Sequence, residues 1–385
     1  MGAVEHLKTL CCLGLNPESA MIAVVPVLHE IIPHGWAKAN LFAPDGTIGN
    51  GYAENPEAAA LYRERLWTFM DDPSSPVSLF LGPARRAVGI GWALHRQGGG
   101  YLESRYYREL EAPLDSCWVL DSMIGDGGRC IAAVLLSRPR SARPFMVDDV
   151  QRLDRLRPWL AHAFRRSPAD DGHQEDEAPI STAGPPVLSG QLITTADARL
   201  IHQTAGLEHL LMILTEEQAI YTRYVPVSDR LPAPILKLLR QITGAANGTS
   251  NTPPRMQVST AYGVLTLEAK WLVPAGTIPA DAARDPKGCL ISVTIELREH
   301  PIAHAARVLR EGGATPAQIK VGIHLALGKP KPVIADELGI QRSSVMATTK
   351  KLYQTLDVHN SAELATKIWL DQGQIETRQS LRRAG

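Results

Sequence analysis

Apolar residues in the first part of the chain follow two spacings, one typical of helices and one typical of strands. A helix is predicted around residues 18–32 and another over 147–165, where apolar side chains recur at helical spacing: Val150, Leu153, Leu156, Leu160 and Phe164. Between these helices, short apolar and β-branched runs predict strands at 36–42, 77–81, 117–124 and 130–136. The pattern indicates an α+β unit.

A second mixture of the same kind occupies residues 187–298. Residues 191–202 predict two short strands around a turn, and a helix over 205–214 follows with its leucines on one side. Runs at 256–260, 264–272 and 289–297 alternate or are rich in β-branched residues, as sheet strands are. We therefore expect a second α+β unit.

The last part of the chain is predicted to be helical throughout. Thr315-Pro316-Ala317-Gln318 combines a hydroxyl cap, proline at the first helical position and glutamine three residues after the cap, so a helix begins there. Further helices are predicted from 331 to 338, from 343 to 356 and after Asn360, with Gly328 and Gly339 ending the first two. The two middle helices are separated by only a short turn.

Length and composition divide the chain into these units. A chain of 385 residues is too long for one ordinary domain. Residues 168–186 carry five acidic residues, no Lys or Arg and several Pro and Gly, which predicts a flexible linker. The expected division is an α+β unit at 1–167, the acidic linker at 168–186, an α+β unit at 187–300, a connecting helix at 301–313 and an all-α unit at 314–385.

Charge distinguishes the all-α unit from the rest. The whole chain has a formal net charge of zero, but residues 315–385 contain ten Lys and Arg against six Asp and Glu, an excess of four. At about 100° per residue, the third helix places Val345, Thr349, Leu352 and Leu356 on one side and leaves the opposite side polar. A polar helix face of this kind can enter the major groove of DNA.

The helical unit resembles the output domain of LuxR-type transcription regulators. The resemblance is in register over the following stretches: Thr315-Pro316, Ala326-Leu327-Gly328-Lys329, Ile334-Ala335, Leu338-Gly339-Ile340, Ser344-Val345, Leu352-Tyr353, Leu356, Val358, Asn360, and Ala362-Glu363-Leu364. It implies a helix-turn-helix that binds double-stranded DNA. The implied contacts to bases are Met346, Ala347 and Lys350, with Ser344 and Lys351 at phosphates; Ser343 lies on the same polar side.

Four positions depart from the family pattern. The resemblance leads one to expect glutamate at Lys320, serine at Pro330, histidine at Thr348 and lysine at Thr355. We expect an intact fold with a weaker or unusual DNA preference. We also expect the protein to bind DNA as a homodimer, with its seam on the fourth helix through Leu364, Ile368 and Trp369.

The two α+β units resemble sensor domains. A glycine-rich turn at 125–128 between two strands, followed by a long terminal helix, is similar to a GAF domain. The hairpin, helix and three closing strands of the second unit, with Tyr262-Gly263-Val264-Leu265 and Trp271-Leu272, look like a PAS domain. The implied architecture is multidomain: an α+β GAF-like domain, an α+β PAS-like domain and an all-α LuxR-type helix-turn-helix domain.

Aromatic residues concentrate in the GAF-like unit. Such residues often line concave sites, so a small-molecule effector is a natural hypothesis, although an ordinary aromatic core is the simpler interpretation. The candidate ligand-binding residues are Trp36, Tyr62, Trp67, Trp92, Tyr106 and Trp118. Haem or flavin on the PAS-like unit, with His202 or His209 as an axial ligand, stays open, and the cofactor is therefore unknown.

Several classes of function find no support in the sequence. The histidines are spread over separate elements without a metal-ligand motif, so neither a catalytic nor a metal site is predicted. Five scattered cysteines do not form a disulfide framework. No apolar run is long enough for a membrane span, which favours a cytoplasmic protein. The expected function is a transcription regulator, not an enzyme; the alternative is a ligand-binding or scaffolding protein with a degenerate DNA-binding domain.

Overall fold

Two antiparallel sheets and a C-terminal group of helices make up the computed structural model of the chain. It describes residues 2–43, 46, 48–69, 93–96, 101–165, 186–215, 231–246, 253–272 and 290–369. The expected α+β multidomain architecture is confirmed at this level. The domain boundaries stay predictions, and residues 168–185 of the proposed linker lie outside the described part. Pro186, assigned above to that linker, is the first residue of a strand.

The first sheet has five strands in the order β2-β1-β5-β4-β3. They are β1 (Trp36–Phe42), β2 (Ile48–Ala53), β3 (Ala93–Arg96), β4 (Trp118–Asp126) and β5 (Arg129–Arg138). Three of the four predicted strands are confirmed, and the fourth, at 77–81, lies outside the described residues. β2 was not predicted, because two glycines interrupt its apolar pattern.

Helices cover both faces of this sheet. They are α1 (Ala3–Cys11), α2 (Pro17–Val24), α3 (Leu28–Ile31), α4 (Pro56–Arg65) and α5 (Val147–Phe164). The single helix expected over 18–32 is divided by a 3-10 turn at Val25–Val27, since Pro26 cannot donate a helical hydrogen bond. One face of the sheet packs on α1, α2 and α5, whose apolar stripes meet the buried side chains of β1 and β5. The other face is covered by α4 and the turn Tyr107–Glu111.

The second sheet has the strand order β7-β6-β10-β9-β8, which is the same order as in the first sheet when each is counted from its own first strand. Its strands are β6 (Pro186–Thr195), β7 (Leu200–Gln203), β8 (Arg255–Thr260), β9 (Gly263–Leu272) and β10 (Leu290–Arg298). Helices α6 (Leu207–Thr215) and α7 (Ala233–Ala246) accompany it. α7 was not predicted. Both sheets are compatible with GAF-like and PAS-like domains.

Five helices form the C-terminal region. They are α8 (Pro301–Glu311), α9 (Pro316–Ala326), α10 (Lys331–Leu338), α11 (Arg342–Leu356) and α12 (Ser361–Trp369). The predicted capping box is present: Thr315 N donates to Gln318 Oε1 at 2.7 Å, and Thr315 Oγ1 accepts from Gln318 N at 3.4 Å. Gly339 adopts a left-handed conformation with φ 63° and ends α10. The four helices predicted after residue 314 are therefore confirmed.

Two of the three residues of the expected dimer seam on α12 are buried within the chain, and the seam itself stays a prediction. Leu364 and Ile368 are buried inside the chain, where α12 contacts α8 and α9. The Trp369 indole donates to Ala326 O at 3.0 Å and stacks on the ring of His304. Leu364 and Ile368 therefore pack within the chain, whereas the opposite face of α12 is exposed: Ser361, Ala362, Glu363, Thr366 and Lys367.

Specific contacts join the three parts. Ser19 Oγ donates to Ala261 O at 2.7 Å, which ties α2 to the turn between β8 and β9. Arg310 Nη1 on α8 donates to Glu30 Oε1 on α3 at 2.8 Å. A continuous set of buried apolar residues extends from α1 to α12. None of the helices in the described part of the chain combines the length and apolar character that a bilayer span requires.

Candidate functional site

Helix α11 is held by one face and leaves the other free. It follows α10 after the short turn at 339–341 and contacts α9 and α10. The side chains of the inner face are buried, as their spacing predicted: Val345, Thr349, Leu352 and Leu356. Thr349 Oγ1 donates to Val345 O at 2.7 Å, which satisfies the one buried hydroxyl of this face. The packing therefore fixes which side of α11 can meet a partner.

The six candidate DNA-binding residues all belong to α11 and are exposed: Ser343, Ser344, Met346, Ala347, Lys350 and Lys351. Met346 is 60% exposed, unusually far for a large apolar side chain. Neither lysine has an ion-pair partner among the described residues. The exposed side of α11 thus offers two cations and an apolar side chain. Whether it binds DNA stays a prediction.

Charge on α11 has one sign. The helix contains Arg342, Lys350 and Lys351 and no acidic residue. Lys329, just before α10, is by contrast paired, with its Nζ 2.8 Å from Glu337 Oε2. A surface whose charges are all positive attracts polyanions in general.

Two of the four departures from the family pattern, Pro330 and Thr355, have local structural effects. Pro330 precedes α10 without a side-chain cap, so that helix begins with one hydrogen bond fewer. Thr355 Oγ1 donates to Lys351 O at 2.9 Å and accepts from Gln318 Nε2 at 3.3 Å. Thr355 hence joins α11 to the start of α9 instead of adding a charge. Lys320 is exposed and Thr348 half-buried.

Three of the candidate ligand residues meet in one buried cluster of the first unit. Trp36 and Tyr62 contact edge to face with ring centres 6.4 Å apart, and Tyr106 meets Phe69 in the same way at 5.5 Å. All four are buried. The cluster lies between the first sheet and α4.

Polar groups extend beneath this aromatic cluster. Tyr62 Oη and Ser116 Oγ both donate to the carboxylate of Glu111, which is 0% exposed, and Ser137 Oγ donates to Ser116 Oγ at 2.7 Å. The Lys38 ammonium lies 3.3 Å from the centre of the Tyr62 ring. Burial raises the pKa of Tyr62 well above its ordinary value, so the phenol stays protonated and can donate.

Trp118 does not belong to the cluster, contrary to the sequence expectation. Trp36 pairs with Ser137 on β5, whereas Trp118 pairs with Arg138. Successive residues of a strand point to opposite faces, so the two indoles lie on opposite sides of the sheet. The Trp118 indole donates instead to Ala142 O at 3.0 Å. Trp92 and the side chain of Trp67 lie outside the described residues.

Two histidines and a glutamate that the sequence did not connect come together beside β1. His29 Nε2 lies 2.8 Å from Glu54 Oε2, and His34 Nε2 lies 3.8 Å from the same oxygen. The two imidazole rings stack with centres 3.6 Å apart. His29 lies on α3, His34 lies in the turn that follows, and Glu54 comes directly after β2. No spacing in the sequence predicts that these three residues come together.

The interactions within this cluster keep Glu54 ionised. Burial alone would raise the pKa of Glu54, but the interactions with His29 and His34 outweigh it and lower the pKa to about 2. The hydrogen bond to Glu54 raises the pKa of His29. Ala37 N also donates to Glu54 Oε2 at 2.8 Å. The carboxylate is therefore ionised and fixed in place.

The histidines considered for a cofactor lie elsewhere. His202 is exposed on β7, while His209 on α6 is buried with its ring edge-on to Tyr262, 6.2 Å between centres. The two do not form a common site with the cluster at Glu54. A cofactor on the second unit stays a prediction.

Comparison with known proteins gives little. No family model and no curated protein matches the chain. Among solved structures, a crystal structure of a bacteriophytochrome from the photosynthetic bacterium R. palustris matches with 13% identity and a TM-score of 0.27, covering 77% of this chain. The match spans 61% of the length of that chain. At this TM-score the similarity supports no argument about function, and the chain stands as an α+β multidomain protein with two antiparallel sheets and a C-terminal helical region.

Proposed function

We propose that this chain is a DNA-binding transcription regulator of the LuxR type. The observation that carries the proposal is the exposed, wholly non-acidic side of α11, opposite the face that packs on α9 and α10. A helix held in this way fits the major groove of B-form DNA. The exposed charges of Lys350 and Lys351 would supply the attraction to phosphate.

Each residue of the exposed side has a role in this proposal. Lys350 hydrogen-bonds to base edges, and Met346 and Ala347 contact thymine methyl groups. Ser344 and Lys351 bind phosphates, with Ser343 beside them at the helix start. Binding as a homodimer would double these contacts, and the exposed face of α12 is one surface on which two copies could meet.

The α+β units would then act as sensors. In the first unit the buried aromatic cluster with Lys38 and Glu111 supports the binding of a small molecule, since aromatic walls with a few polar groups are typical of ligand sites. The contact between Glu30 on α3 and Arg310 on α8 supports a route from that unit to the helical region. A protein partner could act through the same contact.

The test compares two lysine variants with a matched control. Duplex DNA selected from a random pool by the purified protein is titrated in gel shifts at several salt concentrations. We expect Lys350→Ala to weaken binding about tenfold and to relax base preference, and Lys351→Ala to weaken all sequences alike and reduce the salt slope by about one. Lys237→Ala, at an exposed lysine of α7, should bind as the wild type does.

Equal affinities in all four proteins would contradict the assignment of α11 as the DNA-binding helix. A wild-type protein whose weak binding does not depend on salt would favour the alternative, a ligand-binding or scaffolding protein whose helical region no longer binds DNA. In that case the departures at Pro330 and Thr355 would be the first places to search for the cause.

A further inference from the structure

We propose that His29, His34 and Glu54 form a binding site for a divalent transition-metal ion of the zinc class. Two imidazoles and one carboxylate are a ligand set suited to zinc, cobalt, nickel or ferrous iron, whereas magnesium and calcium prefer oxygen ligands alone. The three ligand atoms lie within 4.8 Å of one another. This proposal does not depend on DNA binding.

The distances are close to those that a metal ion requires. Ligands about 2.0–2.2 Å from a tetrahedral ion are separated from one another by about 3.3–3.5 Å. His29 Nε2 and Glu54 Oε2, at 2.8 Å, would move apart slightly, and His34 Nε2, at 3.8 Å from the same oxygen, would move closer. The two imidazole rings would also have to rotate out of their stack, so that both Nε2 atoms point at the same ion.

The proton arrangement of His34 favours a cation. His34 Nδ1 lies 2.6 Å from Ile32 O, and because a carbonyl only accepts, Nδ1 must carry the proton. In the neutral ring Nε2 is then a bare lone pair. Its side chain is 0% exposed, and Nε2 has no hydrogen bond within the described part of the chain. A buried lone pair thus faces a carboxylate oxygen, and a cation between them would satisfy both.

The hydrogen bonds around these side chains are of the kind that orients metal ligands. A metal-binding histidine usually donates its other N–H to a backbone carbonyl, which fixes its tautomer, as His34 does with Ile32 O. The carboxylate of Glu54 is similarly held by Ala37 N. The His29 side chain is 36% exposed, so an ion can enter from solvent, and three protein ligands leave a coordination position for water.

The test measures metal binding directly on the full chain after chelator treatment. Calorimetric titration with Zn²⁺ and visible absorption on adding Co²⁺ should show one ion per chain, with a tetrahedral cobalt spectrum. We expect His29→Ala, His34→Ala and Glu54→Gln each to weaken binding about 100-fold or more. His162→Ala, at an exposed histidine of α5, is the matched control and should bind normally.

Melting curves show whether each variant is folded. Zn²⁺ should raise the Tm of the wild type and of His162→Ala, but not of His29→Ala, whose partly exposed side chain can be removed with little effect on folding. The same cobalt spectrum in wild type and folded His29→Ala would overturn the proposal. So would the absence of stoichiometric Zn²⁺ binding by the wild type, which would leave the cluster as an ion pair between protonated histidine and Glu54.

Discussion

At the scale of single residues, Glu111 shows how a buried carboxyl group is accommodated. Its carboxylate is removed from water, and hydroxyl groups from Tyr62 and Ser116 replace the solvent. A buried carboxylate that loses a donor keeps its desolvation cost without compensation. The aromatic ring of Tyr62 and its hydroxyl therefore contribute separately, one by packing and the other by satisfying Glu111.

We predict that Tyr62→Phe lowers the free energy of unfolding by about 1–3 kcal/mol, because it removes only the hydroxyl. Urea denaturation followed by circular dichroism measures the change. The control is Tyr52→Phe, since Tyr52 is also buried but no hydrogen bond of its hydroxyl occurs within the described residues. If the two variants lose the same stability, Glu111 does not depend on the Tyr62 hydroxyl.

The sequence predicted residues of α11 well and residues of the first unit poorly. The two faces of α11 follow from helical spacing alone, which is a local property. Glu111 and the cluster at Glu54 depend on contacts between distant segments, for which one sequence contains no periodic signal. Trp118 was misplaced because the face of a strand residue depends on the pairing register with β5, which composition does not reveal.

At the scale of elements, the start of α8 depends on a histidine. His300 Nδ1 accepts from Ile302 N at 3.3 Å and so caps the helix that leads into the C-terminal region. Protonation of Nδ1 would remove this acceptor. Burial lowers the pKa of His300 to about 4, although Glu299 nearby acts in the opposite direction.

This group makes the free energy of unfolding fall as the pH is lowered. The pKa of His300 is about 4 in the folded state and about 6.5 in the unfolded chain. Its contribution to the free energy of unfolding is therefore complete above pH 6.5 and is lost as the pH falls toward 4. We expect at most about 3 kcal/mol from this group. His300→Asn can still cap the helix but does not titrate, so its unfolding free energy should fall less between pH 7 and pH 4.

Comparison of the two proteins isolates the effect of His300. His6, whose pKa burial also lowers to about 4, titrates in both and cancels in the difference. Urea titrations at half-unit pH steps give the two profiles. Parallel profiles would show that the cap does not sense pH.

Elements were predicted where their pattern is regular. β1, α5 and the helices after residue 314 have clear spacing or caps, and their observed bounds agree within two residues. α4 and α7 were not predicted. α4 has a run of three alanines followed by mostly charged residues and almost no apolar stripe, so only the Asn55 cap and Pro56 mark its start.

At the scale of the whole molecule, a close approach joins the two α+β units. Gly206, just before α6, has φ +79°, and a Cβ built there would lie 2.5 Å from Pro56 Cβ at the start of α4. No side chain fits between them. The fold therefore requires glycine at this position for two reasons, backbone conformation and distance to the neighbouring unit.

We predict that Gly206→Ala separates α4 from α6 in addition to its backbone strain. Amide hydrogen exchange should become faster in both helices. Gly339→Ala is the matched control, because Gly339 also has a positive φ but open space around the added Cβ, so it should cost only about 1–2 kcal/mol of local strain. Unchanged exchange at α4 in Gly206→Ala would mean that the two units do not depend on this contact.

The shared strand order of the two sheets has a consequence for synthesis on the ribosome. In each sheet the last strand along the chain, β5 or β10, lies between the first and fourth strands. A nascent chain that has not yet reached β5 can form the β1–β2 hairpin and the β3–β4 ladder, but nothing joins them. Each unit is thus completed in one late step, and during translation the half-made sheet exposes open strand edges that a chaperone could cover.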